Sequence, residues 1–226
     1  MWIGIQEWIL ATPNPGPRRM FNRLDLGRLS FAVESLSRWP ATAVSCLSPR
    51  ECDRMASLAD KLVYLPATPM IGAKDAPVHQ DFELNYSVPL DHPFWTLAKA
   101  FGRLAALALT QTGVEIASPD SYEINDLIVQ RYPAGCKGIT PHRDHLKYRM
   151  IVAILLVSGD GEFRIHKRRD ESNGAVIRFN PGDLLLMGAP GVFPGFVRPF
   201  HSVTAVTRVR RTIGMRYDGR IIQPKG

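Results

Sequence analysis

The chain has 226 residues, 45% of them hydrophobic and 22% charged, which suits one ordinary domain with a sizeable core and excludes a wholly disordered chain. No run approaches the ~18 uninterrupted apolar residues that a bilayer span needs, so no membrane insertion is expected. The 28 Lys and Arg outnumber the 21 Asp and Glu, a formal charge of +7 that favours an anionic partner, whether nucleic acid, nucleotide, carboxylate or membrane surface, without choosing among them.

In chain order, Trp2 to Leu10 is partly apolar but carries Glu7 and lacks a basic start, so it reads as an arm that packs on the domain rather than a secretory leader. Thr12-Pro13-Asn14-Pro15-Gly16-Pro17 cannot continue a helix or a central strand. Residues 1–17 are therefore expected to be an arm and Pro-rich linker, and 18–226 a single domain. Cys46, Cys52 and Cys136 form an odd set without C-x-x-C spacing, which points away from a disulfide framework or thiolate zinc site and toward a reducing, cytoplasmic home. Ser48-Pro49-Arg50-Glu51 has the pattern of a capping box with proline at the first helical position, and Met55, Leu58, Ala59, Leu62 and Val63 follow at helical spacing. A helix is predicted over about 49–63, and a second over about 93–111, where Phe94, Leu97, Ala98, Phe101, Leu104, Ala105 and Ala108 share a face.

From about residue 122 short β-prone runs are broken by Gly and Pro: 126–132, 150–157, 162–167, 175–179, 183–187, 201–206 and 211–217. Ser158-Gly159-Asp160-Gly161 and Asn180-Pro181-Gly182-Asp183 are the clearest turns. Helices followed by strands without intervening helices predict an α+β protein whose antiparallel sheets form a sandwich or jelly-roll barrel. Helical support is expected over about 18–121 and the jelly-roll core over about 122–217.

The densest polar cluster is Thr140-Pro141-His142-Arg143-Asp144-His145. In an extended segment side chains alternate, so His142 and Asp144 point one way while Arg143 and His145 point the other. His201 arrives late, in Arg198-Pro199-Phe200-His201. Two imidazoles and a carboxylate with open positions make up the facial triad of non-haem Fe(II) oxygenases. Arg208, Arg210, Arg211 and Arg216 then fall on or near a last strand that should be buried, where a guanidinium needs an anion and suits a carboxylate.

With these residues in view, the stretch of about 122–217 resembles the Fe(II)/2-oxoglutarate-dependent oxygenase superfamily, and looks most like its AlkB-like group. Gln130-Arg131-Tyr132-Pro133-Ala134-Gly135 is similar to that group's N-R-Y-x-x-G-like stretch, with Gln130 in place of the usual Asn. The resemblance implies a double-stranded β-helix, a jelly-roll barrel with packing helices from the N-terminal half. It implies that His142, Asp144 and His201 hold Fe(II), and that Gln130, Tyr132 and one of the late arginines bind 2-oxoglutarate. Arg210-Arg211-Thr212-Ile213-Gly214-Met215-Arg216 fits the group's R-x-x-x-x-x-R pattern. Arg210 shares a face with Arg216 and is favoured over Arg211 for the distal carboxylate, although both lie where related hydroxylases place that cation. Decarboxylation of 2-oxoglutarate with O2 as second co-substrate would yield succinate and CO2 and hydroxylate a C–H bond.

Substrate contacts are expected upstream, at Gln80, Asp81 and Phe82, and at Leu146, two places after the triad carboxylate. AlkB-like base-repair proteins carry an acid at that last place to meet a cationic base, whereas here Leu146 is followed by Lys147 and Arg149. The expected substrate is accordingly a small anionic metabolite or natural-product intermediate. Oxidative demethylation of N-methylated nucleic acid or nucleotide stands as the alternative, and a non-catalytic barrel that binds metal or an anion as the alternative of a different class.

Overall fold

The structure, a computed structural model, describes residues 21–113, 122–170 and 174–220; the arm and Pro-rich linker expected over residues 1–17 lie outside the described residues. The elements are α1 (Leu26–Ser35), β1 (Ala41–Ser45), α2 (Pro49–Ala59), β2 (Leu65–Pro66), β3 (Met70–Ala73), β4 (Ala76–Asp81), β5 (Glu83–Asn85), α3 (Pro93–Gln111), β6 (Asp126–Tyr132), β7 (Gly138–His142), β8 (Tyr148–Ser158), β9 (Glu162–His166), β10 (Ala175–Ile177), β11 (Asp183–Gly188), β12 (Phe200–Thr204) and β13 (Arg210–Asp218). They build two antiparallel sheets, one ordered β1-β11-β8-β13-β6-β5-β2 and the other β10-β9-β12-β7-β4-β3. This is the jelly-roll, double-stranded β-helix arrangement, with few packing helices.

Helix starts follow the sequence chemistry. Glu51 accepts from both the backbone N–H and the hydroxyl of Ser48, 2.9 and 2.8 Å, and closes the first turn of α2. His92 Nδ1 accepts from the Phe94 N–H at 3.3 Å, and Pro93 occupies the first helical position of α3. Phe94, Leu97, Ala98, Phe101, Ala105 and Ala108 are buried in the core between the helices and the larger sheet, as their spacing requires.

The larger sheet is apolar on one face and chemical on the other. Leu127, Val129, Ile151, Ala153, Leu155, Val157, Ile213 and Met215 join the helices in one core. Their alternates, Ile128, Gln130 and Tyr132 on β6, Val152 and Ile154 on β8, and Arg210, Thr212, Gly214 and Arg216 on β13, face a cavity between the sheets. Gly214 keeps that cavity open, since a Cβ there would stand 2.7 Å from the Ile128 side chain.

The N-terminal half departs from the expected helical support. It places β1 and the β5–β2 edge in the larger sheet and β4 and β3 in the smaller one. These strands are two to six residues long, and β2 and β3 are exposed throughout, so they carry no alternating apolar signal. Helix α1 also lacks a sequence prediction; its apolar stripe is only Leu29, Ala32 and Val33. The helix expected over 49–63 ends at Ala59.

Candidate metal and co-substrate site

The site is built where the two sheets face each other. On the smaller sheet β7 and β12 pair with His142 directly opposite His201, which brings the two ring centroids to 4.2 Å. Close approach here needs a glycine: Gly138 has φ +76°, and any Cβ would lie 2.0 Å from the Val203 carbonyl oxygen. The chain leaves β7 after His142 and returns Asp144 to the same side, its Oδ2 3.8 Å from His201 Nε2. One ligand atom from each of His142, Asp144 and His201 falls within 4.8 Å of the others.

The protonation chemistry suits a cation. The Thr140 carbonyl lies 3.0 Å from His142 Nδ1, so that nitrogen donates and Nε2 keeps its lone pair. Burial, reinforced by the neighbouring His142, pushes the His201 imidazole down to about 3, and burial lowers His142 too, against the pull of Asp144. Both rings are neutral at pH 7 and present unshared pairs beside a carboxylate. His201 is further fixed by stacking on Phe163, centroids 5.5 Å apart.

Across a cavity of about 330 Å³ stands Arg210. Its side chain is 1% exposed, its Nε has no hydrogen-bond partner, and its NH1 reaches only the Asp160 carbonyl at 3.4 Å. No carboxylate among the described residues pairs with it. Phe179 lies 5.1 Å below its guanidinium carbon. A buried guanidinium with an unspent fork fits the distal carboxylate of a dicarboxylic acid. Gln130 and Tyr132 line the same wall; Gln130 is hydrogen-bonded to the Tyr132 hydroxyl and accepts from the Thr212 hydroxyl at 3.1 Å. Tyr132 is stacked on Phe82, 4.7 Å between centroids, and its burial raises the phenol well above its ordinary range, so it is a neutral donor at pH 7.

The remaining candidates separate cleanly. Arg211 is not brought to the cavity: it points outward to Asp60, at 2.7 and 3.0 Å, and to Ser158. Arg216 lines the cavity but is already paired with Asp126 at 2.7 Å and packed over Tyr148, so its charge is spent within the fold. Gln80 and Phe82 line the cavity. Asp81 does not; its carboxylate accepts from the Lys137 N–H at 2.7 Å and ties β4 to the turn before β7. Leu146 is 61% exposed and is likewise absent from the lining. His145 sits at the rim with Nδ1 accepting from Lys147 N–H at 3.0 Å. The sequence reading missed Tyr86, Tyr148, Phe163 and Thr212 in the wall; strand parity from Arg210 would have found Thr212, but nothing local marks Tyr86.

No protein-family model matches the chain, and no curated protein matches its sequence. Solved structures do. An oxidoreductase of the 2OG-Fe(II) oxygenase family from Burkholderia pseudomallei superposes with a TM-score of 0.60 at 16% identity, over 87% of this chain and 93% of that one. A prolyl hydroxylase from Trichoplax adhaerens, in complex with a hypoxia inducible factor peptide fragment, gives 0.59 at 14% identity over 86% and 91%. A viral collagen prolyl hydroxylase from Paramecium Bursaria Chlorella virus-1, as its 2OG complex, gives 0.56 at 17% identity over 80% and 96%. At these identities the likeness is one of fold.

Proposed function

We propose that this chain, which has the fold of the 2-oxoglutarate/Fe(II) oxygenases, is itself an Fe(II)- and 2-oxoglutarate-dependent dioxygenase that hydroxylates a C–H bond of a small anionic molecule. The observation that carries this reading is the pairing, across one cavity, of the His142, Asp144 and His201 ligand set with the unpaired buried Arg210. His142, Asp144 and His201 would hold Fe(II). Arg210 would take the distal carboxylate of 2-oxoglutarate, with Gln130 and Tyr132 orienting the bound acid. When bound, the iron and 2-oxoglutarate supply oxidising power from O2, with succinate and CO2 as products. The protein's part is geometric and electrostatic. Two neutral imidazoles and one carboxylate leave the cation a net positive charge, Arg210 fixes the co-substrate from the far end, and Ile128, Ile139, Val152, Ile154 and Phe163 exclude water between them.

An anionic substrate is favoured by the cavity's charge. Asp144 is the one carboxylate among its described lining residues, against Arg143 and Arg210, with Arg216 already neutralised by Asp126. A cationic methylated base would meet no free carboxylate there, which ranks nucleic-acid demethylation second. The test is succinate release from 2-oxoglutarate in the presence of Fe(II) across small acids, phosphorylated metabolites and methylated oligonucleotides. Asp144→Ala should abolish turnover and most metal binding while circular dichroism stays native. Full activity in that variant would remove the triad assignment, and no succinate with any substrate class would favour the non-catalytic binding barrel.

A further inference from the structure

Three arginines beside the site have no part in holding the metal or 2-oxoglutarate. Arg143 lies with its guanidinium carbon 4.1 Å from the centre of the Phe200 ring, and Arg169 lies 5.2 Å from the centre of the same ring. Arg169 NH1 is steered by two neutral acceptors, the carbonyls of Ala76 and Pro141, each at 3.4 Å. Arg198, on the loop before β12, donates through NH1 to the backbone carbonyl of Asp144. Each cation is held in place, yet none spends its charge on a carboxylate among the described residues. Other arginines of the barrel are neutralised by a carboxylate: Arg131 by Glu83, Arg164 by Glu162, Arg208 by Asp160, Arg211 by Asp60, Arg216 by Asp126 and Arg220 by Asp218.

These three cations lie beside the ligand set. Arg198 and Phe200 lie just before His201 in sequence, and Arg143, an exposed residue that also lines the cavity, stands between His142 and Asp144, so the cluster sits at the approach to the ligand set. Asp144 is the nearby carboxylate, and it belongs to the triad.

We propose that Arg143, Arg169 and Arg198 form a substrate subsite for a phosphate monoester at the mouth of the cavity, distinct from the carboxylate seat at Arg210. A phosphoryl dianion has the oxygens and the charge to satisfy several guanidinium forks at once, which one carboxylate does not. Bound there, it would anchor the substrate at the rim and leave its carbon skeleton to reach the cavity. The subsite gives the oxygenase reading its substrate class and rests on that reading only for what happens to the skeleton.

The test is calorimetric titration of glycerol 3-phosphate, with glycerol as the uncharged control, into protein saturated with Mn(II) and 2-oxoglutarate so that Arg210 is already occupied. The expected result is one site for the phosphate, none for glycerol, and affinity weakened at least tenfold in both Arg143→Gln and Arg169→Gln. The exposed neighbour Arg168→Gln, whose partner is Asp170, should bind as wild type. Native circular dichroism and an unchanged 2-oxoglutarate-induced rise in melting temperature establish that the rim variants fold. Glycerol 3-phosphate that fails to bind, or binds equally to all variants, overturns the subsite while leaving the 2-oxoglutarate site standing. Phosphate binding without any 2-oxoglutarate effect sinks the oxygenase reading and keeps the rim. Binding of a twelve-nucleotide single strand alone, lost in the rim variants, overturns the monoester in favour of a polynucleotide.

Discussion

Replacing Arg210 with methionine should move stability and co-substrate affinity in opposite directions. In the ligand-free fold the guanidinium is 1% exposed, has an unpartnered Nε and meets only a 3.4 Å carbonyl and the face of Phe179. A buried charge held this poorly costs several kcal/mol of desolvation, and an apolar side chain of similar volume is typically neutral or stabilising by ~1–4 kcal/mol. Arg210→Met should therefore melt at or above the wild-type temperature without ligand. With 2-oxoglutarate the sign reverses, because removing one partner of a buried ion pair costs ~3–5 kcal/mol, or roughly two to three and a half orders of magnitude in Kd at 1.4 kcal/mol per decade. Thermal melts with Mn(II) make both halves visible. At ligand one hundred times its Kd, binding adds ~2.7 kcal/mol, which for a chain of this size is a rise of about 5–10 °C. Wild type should show that rise and Arg210→Met none at the same concentration. A variant that loses more than ~2 kcal/mol in the ligand-free state, or that keeps the ligand-induced rise, would refute the argument that the fold carries this cation for an absent anion.

Arg211→Gln should leave the 2-oxoglutarate dependence untouched and cost at most ~1 kcal/mol, since its bond to Asp60 is a partly exposed ion pair; a large rise in apparent KM would put the cavity face of β13 one residue away from where it stands. Gly159→Ala should be strongly destabilising and should weaken 2-oxoglutarate binding as well, because Gly159 has φ +83° and a Cβ there would meet the Val209 carbonyl oxygen at 2.3 Å, beside Arg210. A melting temperature within 2 °C of wild type, ~0.5–1 kcal/mol, would contradict that. Hydrogen bonds from Arg220 and Lys147 hold the Asp218 carboxyl well below the usual range. A carboxyl lowered by folding stabilises above its unfolded pKa of ~3.9 and loses that contribution as pH falls below it. Asp218→Asn should thus lower the melting temperature at pH 7 and make the remaining loss between pH 5 and pH 3 shallower; parallel curves for the two proteins would argue against the linkage.

The C-terminal half was legible because its strands are long enough to alternate. β6 was read to the residue, and β8 and β13 within two residues of each end, from β-branched runs closed by turn residues. The triad was legible for the same reason: His142 and Asp144 are two apart, and His201 begins an apolar strand that had to pair nearby. Arg210 over Arg211 followed from parity with Arg216, although parity could not show that Arg216 would be consumed by Asp126. That pairing is a cross-strand register, Arg216 opposite Asp126, and becomes visible only once β13 is known to lie beside β6. Leu146 was misread for a related reason. A position counted along a loop from Asp144 has no fixed direction, and the turn from 145 to 148 sends Leu146 to solvent. The strands β2 to β5 were illegible because strands this short, β2 and β3 of them at sheet edges, bury little, so selection for burial leaves no pattern to read.

The two-faced sheet has a consequence for how such a chain can change. On β6, β8 and β13 most even-numbered residues face the cavity and most odd-numbered ones belong to the core shared with the helices. Chemistry and solubility of the fold are thereby filed under separate positions of the same strands, and a substitution at one parity is invisible to the demands on the other. Reshaping Ile128 and Ile154 would resize the chamber without touching the packing beneath α3, while Val129, Ile151 or Ile213 could drift among apolar residues without any substrate noticing. A library restricted to Ile128, Gln130, Ile154 and Thr212 would explore new substrates while leaving the core under the helices intact; the same diversity spent on Val129, Ile151 and Ile213 would disturb that core and reach no substrate.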